Sequence, residues 1–336
     1  MVGSGRKCAG MRVLVTGATG KVGQALIRRI LRDEALSCWE FRALTHNRSI
    51  EEGPRLSALR GSIEDRQVCR EALAGITHVV HLATCKEAPE SAMDVAVKGL
   101  FWLLEEFRKS PTAERFLLVG GDAAVGHFFV RHDGPVTEDT PHRAYPGCYA
   151  LSKVLEEVMV EQFGLQYGID WCCLRAPWIM EKDDFLFSLS FGDDVFGGPD
   201  WKTMVSAEEA AGCRQTGAVP LLLDEDGVPV RRNFVHVDDL VEAIVAALRA
   251  SAARQRLYNI CMDEPVSYAA VADYLARTRG LPAKEIRGPY FSNRMDNSRA
   301  KAELDWRPSY DLETLIESAW SYQRSADEPR RIWYPG

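Results

Sequence analysis

Apolar positions along this chain follow two alternating rhythms. Short runs rich in β-branched and aromatic residues read as strands: MRVLVTG (11–17), EFRALT (40–45), THVVHLA (77–83), RFLLVG (115–120), DWCCLRA (170–176) and RLYNI (256–260). Between them, QALIRRILRDE (24–34), VCREALAG (68–75), AVKGLFWLLEEFRK (96–109) and SKVLEEVMVEQFG (152–164) carry apolar residues at helical spacing. Continuously apolar strands alternating with helices predict an α/β fold, with a doubly wound parallel sheet covered on both faces. After about residue 177 the rhythm is lost. Residues 178–232 are rich in Asp, Gly, Pro, Phe and Trp. HVDDLVEAIVAALRA (236–250) reads as a further helix, with Asp238 or Asp239 as its cap, and RLYNI returns to the sheet. The pattern predicts a first domain of 11–177 plus 234–260, a smaller one of 178–233 plus 261–336, and a disordered lead at 1–10.

Composition narrows the partners. The chain has 336 residues and a formal net charge of −7 with no basic stripe, so nucleic acid is not an expected partner. No apolar run approaches the roughly 18–20 residues that span a bilayer, and MVGSGRKCAG lacks the apolar core of a secretory signal. The nine cysteines are scattered without a CxxC, which fits a reduced, cytoplasmic protein, and no His/Cys spacing suggests a metal.

Chemistry enters at VLVTGATGKVGQALIRRIL. Its Gly17, Gly20 and Gly23 follow a strand and open an amphipathic helix. In that context Gly17, Thr19, Gly20, Lys21, Val22 and Gly23 are expected to cradle a dinucleotide pyrophosphate on backbone N–H groups. The second strand ends in Thr45-His46-Asn47-Arg48 without an acid to bind the ribose hydroxyls. That favours NADP over NAD, with Arg48 and His46 on the 2′-phosphate. Tyr149 and Lys153, in YALSK, stand four residues apart on one helical face. An ammonium near a phenol favours phenolate, so the pair suits proton transfer.

With these residues on view, the chain resembles the extended short-chain dehydrogenases/reductases, the NAD-dependent epimerase/dehydratase family. The resemblance runs from Arg12 to about Pro308. It is carried by TGATGKVG, GSIED (61–65), HLAT (81–84), YALSK, LRAP (174–177), RRNFVHVDD (231–239), LYNI (257–260) and ELDWRP (303–308). It implies a Rossmann-like domain, a small substrate domain, a bound nicotinamide nucleotide and a homodimer built on helices at about 92–109 and 149–164. By position, Tyr149 resembles the acid/base and Lys153 the residue that tunes it and holds the nicotinamide ribose. Ser62 and Ile63 would lie at the adenine, Leu82, Ala83 and Thr84 along the cofactor, and Pro177 behind the nicotinamide.

The chain also departs from that pattern. LLVGGDAAVG (117–126) puts Asp122 where the family has a Ser/Thr hydroxyl that hydrogen-bonds the substrate oxygen. A carboxylate accepts but does not donate, so Asp122 is expected to orient a substrate hydroxyl. Ala123 and Ala124 stand at the Asp-Glu pair of the dehydratases, Trp178 at the Asn that contacts a nucleotide diphosphate, and Ala96 at the family's helix Asn. Lys86, His127, Phe128, Trp178 and Arg232 are candidate substrate residues. The expected activity is reversible hydride transfer between NADP(H), with NAD as the alternative, and a hydroxyl or carbonyl carbon of a small sugar, polyol or related compound. The alternatives are a sugar epimerase with retained NAD and, from another class, a non-catalytic NADP(H)-binding sensor.

Overall fold

The computed structural model describes residues 10–326 and residue 328. Almost all of the expected lead at 1–10 lies outside these residues. The strands Arg12–Thr16 (β1), Glu40–Thr45 (β2), Leu56–Arg60 (β3), His78–His81 (β4), Arg115–Gly121 (β5), Trp171–Ala176 (β6) and Arg256–Asn259 (β7) form one parallel sheet. Their order is β7-β6-β5-β4-β1-β2-β3. Chain direction reverses its spread between β1 and β4, which opens a crevice at the C-terminal strand ends. Every strand that the apolar rhythm predicts is present. Within this sheet β3 is the one it did not predict: it is a short edge strand, half-exposed, behind Gly53 and Pro54.

The helices Lys21–Arg32 and Val237–Arg249 cover one face of the sheet, over a core that includes Val13, Val15, Leu26, Ile30, Leu117, Leu174, Leu240 and Ile244. The helices Arg66–Leu73, Leu100–Phe107 and Cys148–Tyr167 cover the other, over Leu14, Val79, Leu103, Phe107, Leu118 and Phe163. The central strands, buried on both faces, therefore need no polar alternation, and β5 is buried along its whole length. A further core of Met180, Phe185, Phe191, Trp201, Leu222, Phe234, Tyr268, Leu275 and Ile316 packs beside the sheet.

Around that further core the apolar rhythm missed several elements. The helix Ala207–Thr216 is held by a capping box from Ser206 and Glu209. Val219–Leu223 pairs with Ala283–Arg287, Trp178–Met180 with Phe234–His236, and Arg231–Arg232 with Val266–Ser267. These strands run from two to five residues, too short for alternation to show. The cap of the helix Val237–Arg249 also differs from expectation. His236 is its N-cap, its ring accepting from Asp238 N–H. Asp239 instead accepts hydrogen bonds from Ser309 and Tyr310, clamping the later chain to the helix.

Candidate active site

The turn after β1 is shaped by contact. Gly17 has φ +64°, and a Cβ there would stand 2.8 Å from both Ala83 N and Leu82 C. A Cβ on Gly23 would stand 2.6 Å from Gly17 O, so the helix meets its own entry turn at backbone distance. The helix that follows has Gly20 as N-cap with no side-chain cap and no acid in its first turn. Its leading N–H groups and positive dipole end therefore face the crevice at the strand ends, which is the chemistry a pyrophosphate requires. Thr16 fixes the opposite wall. Its hydroxyl accepts from Leu82 N–H at 3.1 Å and Ala83 N–H at 3.2 Å, which uses both lone pairs. It therefore donates to His81 Nδ1, 2.8 Å away, and His81 is the neutral Nε2–H tautomer. Burial agrees, pushing the His81 imidazole down to about 3.

The other cofactor candidates follow the strand ends. His46 is exposed and Arg48 half-buried after β2. Ser62 and Ile63 follow β3, with Ile63 buried against Gly99. Thr84 is half-buried after β4, Lys86 is exposed beyond it, and Pro177 is buried after β6. Thr19 and Val22 are half-buried in the glycine turn. Lys21 turns across the crevice, where its ammonium pairs with Asp184 and donates to Ile179 O at 3.0 Å.

Beside this cradle stand Tyr149 and Lys153, in the first turns of the helix Cys148–Tyr167. The helix begins under a cap that the sequence did not reveal. Glu87, from the loop after β4, accepts from Cys148 N–H at 3.0 Å and Tyr149 N–H at 3.4 Å. Gly147, at φ +149°, leaves room for that carboxylate, since a Cβ there would lie 2.5 Å from Glu87 Oε1. Lys153 Nζ lies 5.6 Å from the Tyr149 ring centre and forms a buried ion pair with Glu156 at 2.7 Å. Burial holds the Tyr149 phenol above its usual range, while Lys153 acts in the opposite direction, toward phenolate. Glu156 weakens that pull: it raises both groups, and its Oε1 is buried without a hydrogen bond.

The glycines at the end of β5 approach this machinery. A Cβ on Gly120 would meet Cys173 Sγ at 3.0 Å and Glu157 Oε1 at 3.1 Å. Glu157 forms a two-pronged buried pair with Arg175, at 3.0 and 2.7 Å, and accepts from His142 at 2.9 Å. Gly121 faces the pair itself, its Cβ position 3.6 Å from Tyr149 Oη. Asp122 follows and bonds to His127 Nδ1. Arg232 reaches the same cluster, packed 3.8 Å over the Trp178 ring and 4.3 Å over Phe128. The structure thus brings Asp122, His127, Phe128, Trp178 and Arg232 together. Among the described residues no group of three His, Cys, Asp or Glu could hold a metal ion, and no helix is long and apolar enough to cross a membrane.

Comparison with known proteins agrees with this geometry. The pattern of the NAD dependent epimerase/dehydratase family matches residues 13–180, half of the chain, from β1 to beyond β6. The chain belongs to this family. The chain is similar to a UDP-glucose 4-epimerase of Lactobacillus helveticus, 22% identical over 94% of this chain and 98% of that protein's length. UDP-glucuronate 4-epimerase 4 of Arabidopsis thaliana is 24% identical over 92% of this chain and 74% of its own length. Among solved structures, a short-chain dehydrogenase/reductase superfamily protein from Agrobacterium tumefaciens with bound NAD has a TM-score of 0.77 at 24% identity, covering 92% of this chain and 95% of its own. UDP-glucuronic acid 4-epimerase from Bacillus cereus, in complex with UDP-glucuronic acid and NAD, has a TM-score of 0.71 at 19% identity, covering 93% and 98%. The protein is therefore an enzyme of the extended short-chain dehydrogenase/reductase type.

Proposed function

We propose that this enzyme removes a hydride from a hydroxyl-bearing carbon of a sugar and returns it to that carbon, working as an epimerase with its nicotinamide cofactor retained. The observation that carries the reading is the Tyr149–Lys153 pair beside a glycine turn that only an unbranched backbone can form. The 4-epimerases among the relatives support epimerisation. Buried Ala123 and Ala124 offer no acid–base pair for loss of water, which argues against a dehydratase.

When bound, the nicotinamide supplies the hydride acceptor. Tyr149 Oη takes the proton of the substrate hydroxyl and later returns it, and Lys153 favours the phenolate between those events. The turn Gly17–Gly23 and the helix it opens hold the pyrophosphate. We take the cofactor to be NAD, as in the solved relatives. The end of β2, with Arg48 and no acid, supports NADP instead, so both nucleotides belong in the titration.

Trp178 and the covered Arg232 favour a second reading, a dehydrogenase/reductase that exchanges its cofactor and acts on a free sugar or polyol. Arg232 is only 6% exposed, poorly placed to meet a diphosphate. In either reading we take the enzyme as a homodimer through the helices that expose Phe101, Leu151 and Leu165; sedimentation checks this.

Tyr149→Phe tests the shared chemistry. Turnover should fall by about 100-fold or more, with nucleotide affinity within about threefold of wild type. Full activity in that variant would refute the mechanism.

A further inference from the structure

Asp122 does not stand alone at the end of β5. Its Oδ2 bonds to His127 Nδ1, and His127 Nε2 lies 3.0 Å from Arg232 Nε. Arginine can only donate, so Nε2 is the bare nitrogen and the ring hydrogen sits on Nδ1, aimed at Asp122. A single hydrogen-bonded line thus runs from carboxylate through neutral imidazole to guanidinium, with opposite charges at its ends.

The line is built rather than incidental. Asp122 and Arg232 are 8% and 6% exposed. His127 holds φ +49°, a left-handed conformation that disfavours a non-glycine residue and needs its surroundings to enforce it. Asn293 supplies that enforcement, donating to His127 O at 2.6 Å and Val130 O at 2.8 Å. Arg232 also donates to Gly198 O at 2.7 Å and is sandwiched by Trp178 and Phe128. Burial lowers the His127 imidazole pKa, in keeping with a neutral ring.

We propose that His127 and Arg232 are positioning residues that hold Asp122 as a fixed acceptor for a second substrate hydroxyl, next to the one that Tyr149 deprotonates. This rests on the hydride-transfer reading above. The Cβ position of Gly121 lies 3.6 Å from Tyr149 Oη, and the charge of Asp122, the next residue, acts on the Tyr149 phenol, so Asp122 borders the reacting centre. In the oxidation, hydride leaves the carbon for the nicotinamide ring and the hydroxyl proton goes to Tyr149. A carboxylate on that same oxygen would then face carbonyl lone pairs, acceptor against acceptor. A neighbouring hydroxyl keeps its hydrogen before and after, so a fixed carboxylate can hold it throughout, itself unchanged. The substrate is accordingly a vicinal diol.

Nitrogen-15 NMR of the full-length protein with labelled histidine tests the line without any substrate. At pH 7 His127 should be neutral with its hydrogen on Nδ1. In Arg232→Met the ring loses its cationic neighbour and keeps Asp122, so its protonation midpoint should rise by about one pH unit or more. Hydrogen on Nε2 in the wild-type protein, or an unmoved midpoint in a folded variant, would overturn the line.

The second-hydroxyl role is read from turnover of glucose and galactose, free and as UDP-sugars, each beside its monodeoxy analogues, followed both as epimer formed and as added NAD reduced. Loss of the hydroxyl next to the oxidised carbon should raise KM about tenfold in wild type and change little in Asp122→Asn. Equal use of diol and deoxy analogue by wild type would overturn the assignment. Absence of turnover across the panel, with the tautomer as stated, would sink the hydride-transfer reading and with it the role of Asp122.

Discussion

Gly17→Ala isolates the contact on which the cofactor cradle depends. At φ +64° an L-residue pays about 1 kcal/mol. The new methyl would stand 2.8 Å from Ala83 N and Leu82 C and 2.9 Å from Leu82 O, all backbone atoms that no rotamer change can move. Overpacking of that kind costs about 1–3 kcal/mol. Alanine stabilises by about 0.5 kcal/mol through its stiffer unfolded chain. The net expectation is a loss of about 1.5–3.5 kcal/mol, read as a lower urea midpoint with an unchanged slope. Relief of the clash would move Leu82 and Ala83 away from Thr16, so nucleotide affinity should fall about tenfold or more as well. Gly20→Ala is the internal comparison: its φ is −79° and its nearest contact is 3.2 Å, so it should cost under about 1 kcal/mol. A Gly17→Ala protein within about 0.5 kcal/mol of wild type would refute the reasoning.

Acid should destabilise the fold through buried histidines. Burial lowers His81 to about 3 and His78 and His236 to about 4, against 6.5 for an ordinary histidine. Below pH 6.5 the unfolded chain takes up protons that the folded chain refuses, so stability present above 6.5 is lost as pH falls toward 4. Each ring contributes on the order of 2 kcal/mol by pH 5, and urea unfolding at pH 7.5 and 5 measures it. His81→Asn should flatten that dependence. Glu156→Gln removes an anion that raises both Lys153 and Tyr149, so the acid limb of the kcat/KM profile should move to lower pH. An unchanged limb would show that Glu156 does not tune the tyrosine.

The alternation of apolar strands and helices was legible because the central strands are buried on both faces and the helices on one. β3 was not, being an edge strand with little to bury. The Tyr149–Lys153 pair and the glycine turn were legible because helix and turn geometry are local. The Asp122–His127 bond spans five residues across a left-handed kink, and Arg232 joins from 105 residues beyond His127, distances at which spacing carries no information. Glu87 reaches its helix from 61 residues away. Lys21 looked like a phosphate ligand from its place in the turn, yet its ammonium is held by Asp184 in the later chain.

The most direct test of the central claim is to purify the enzyme without added cofactor, denature it, and identify the released nucleotide by mass. Stoichiometric NAD is the predicted result, since an epimerase recycles its cofactor within the site. An empty protein that then binds NADPH more tightly than NADH would contradict the account, showing a cosubstrate that exchanges at every turnover.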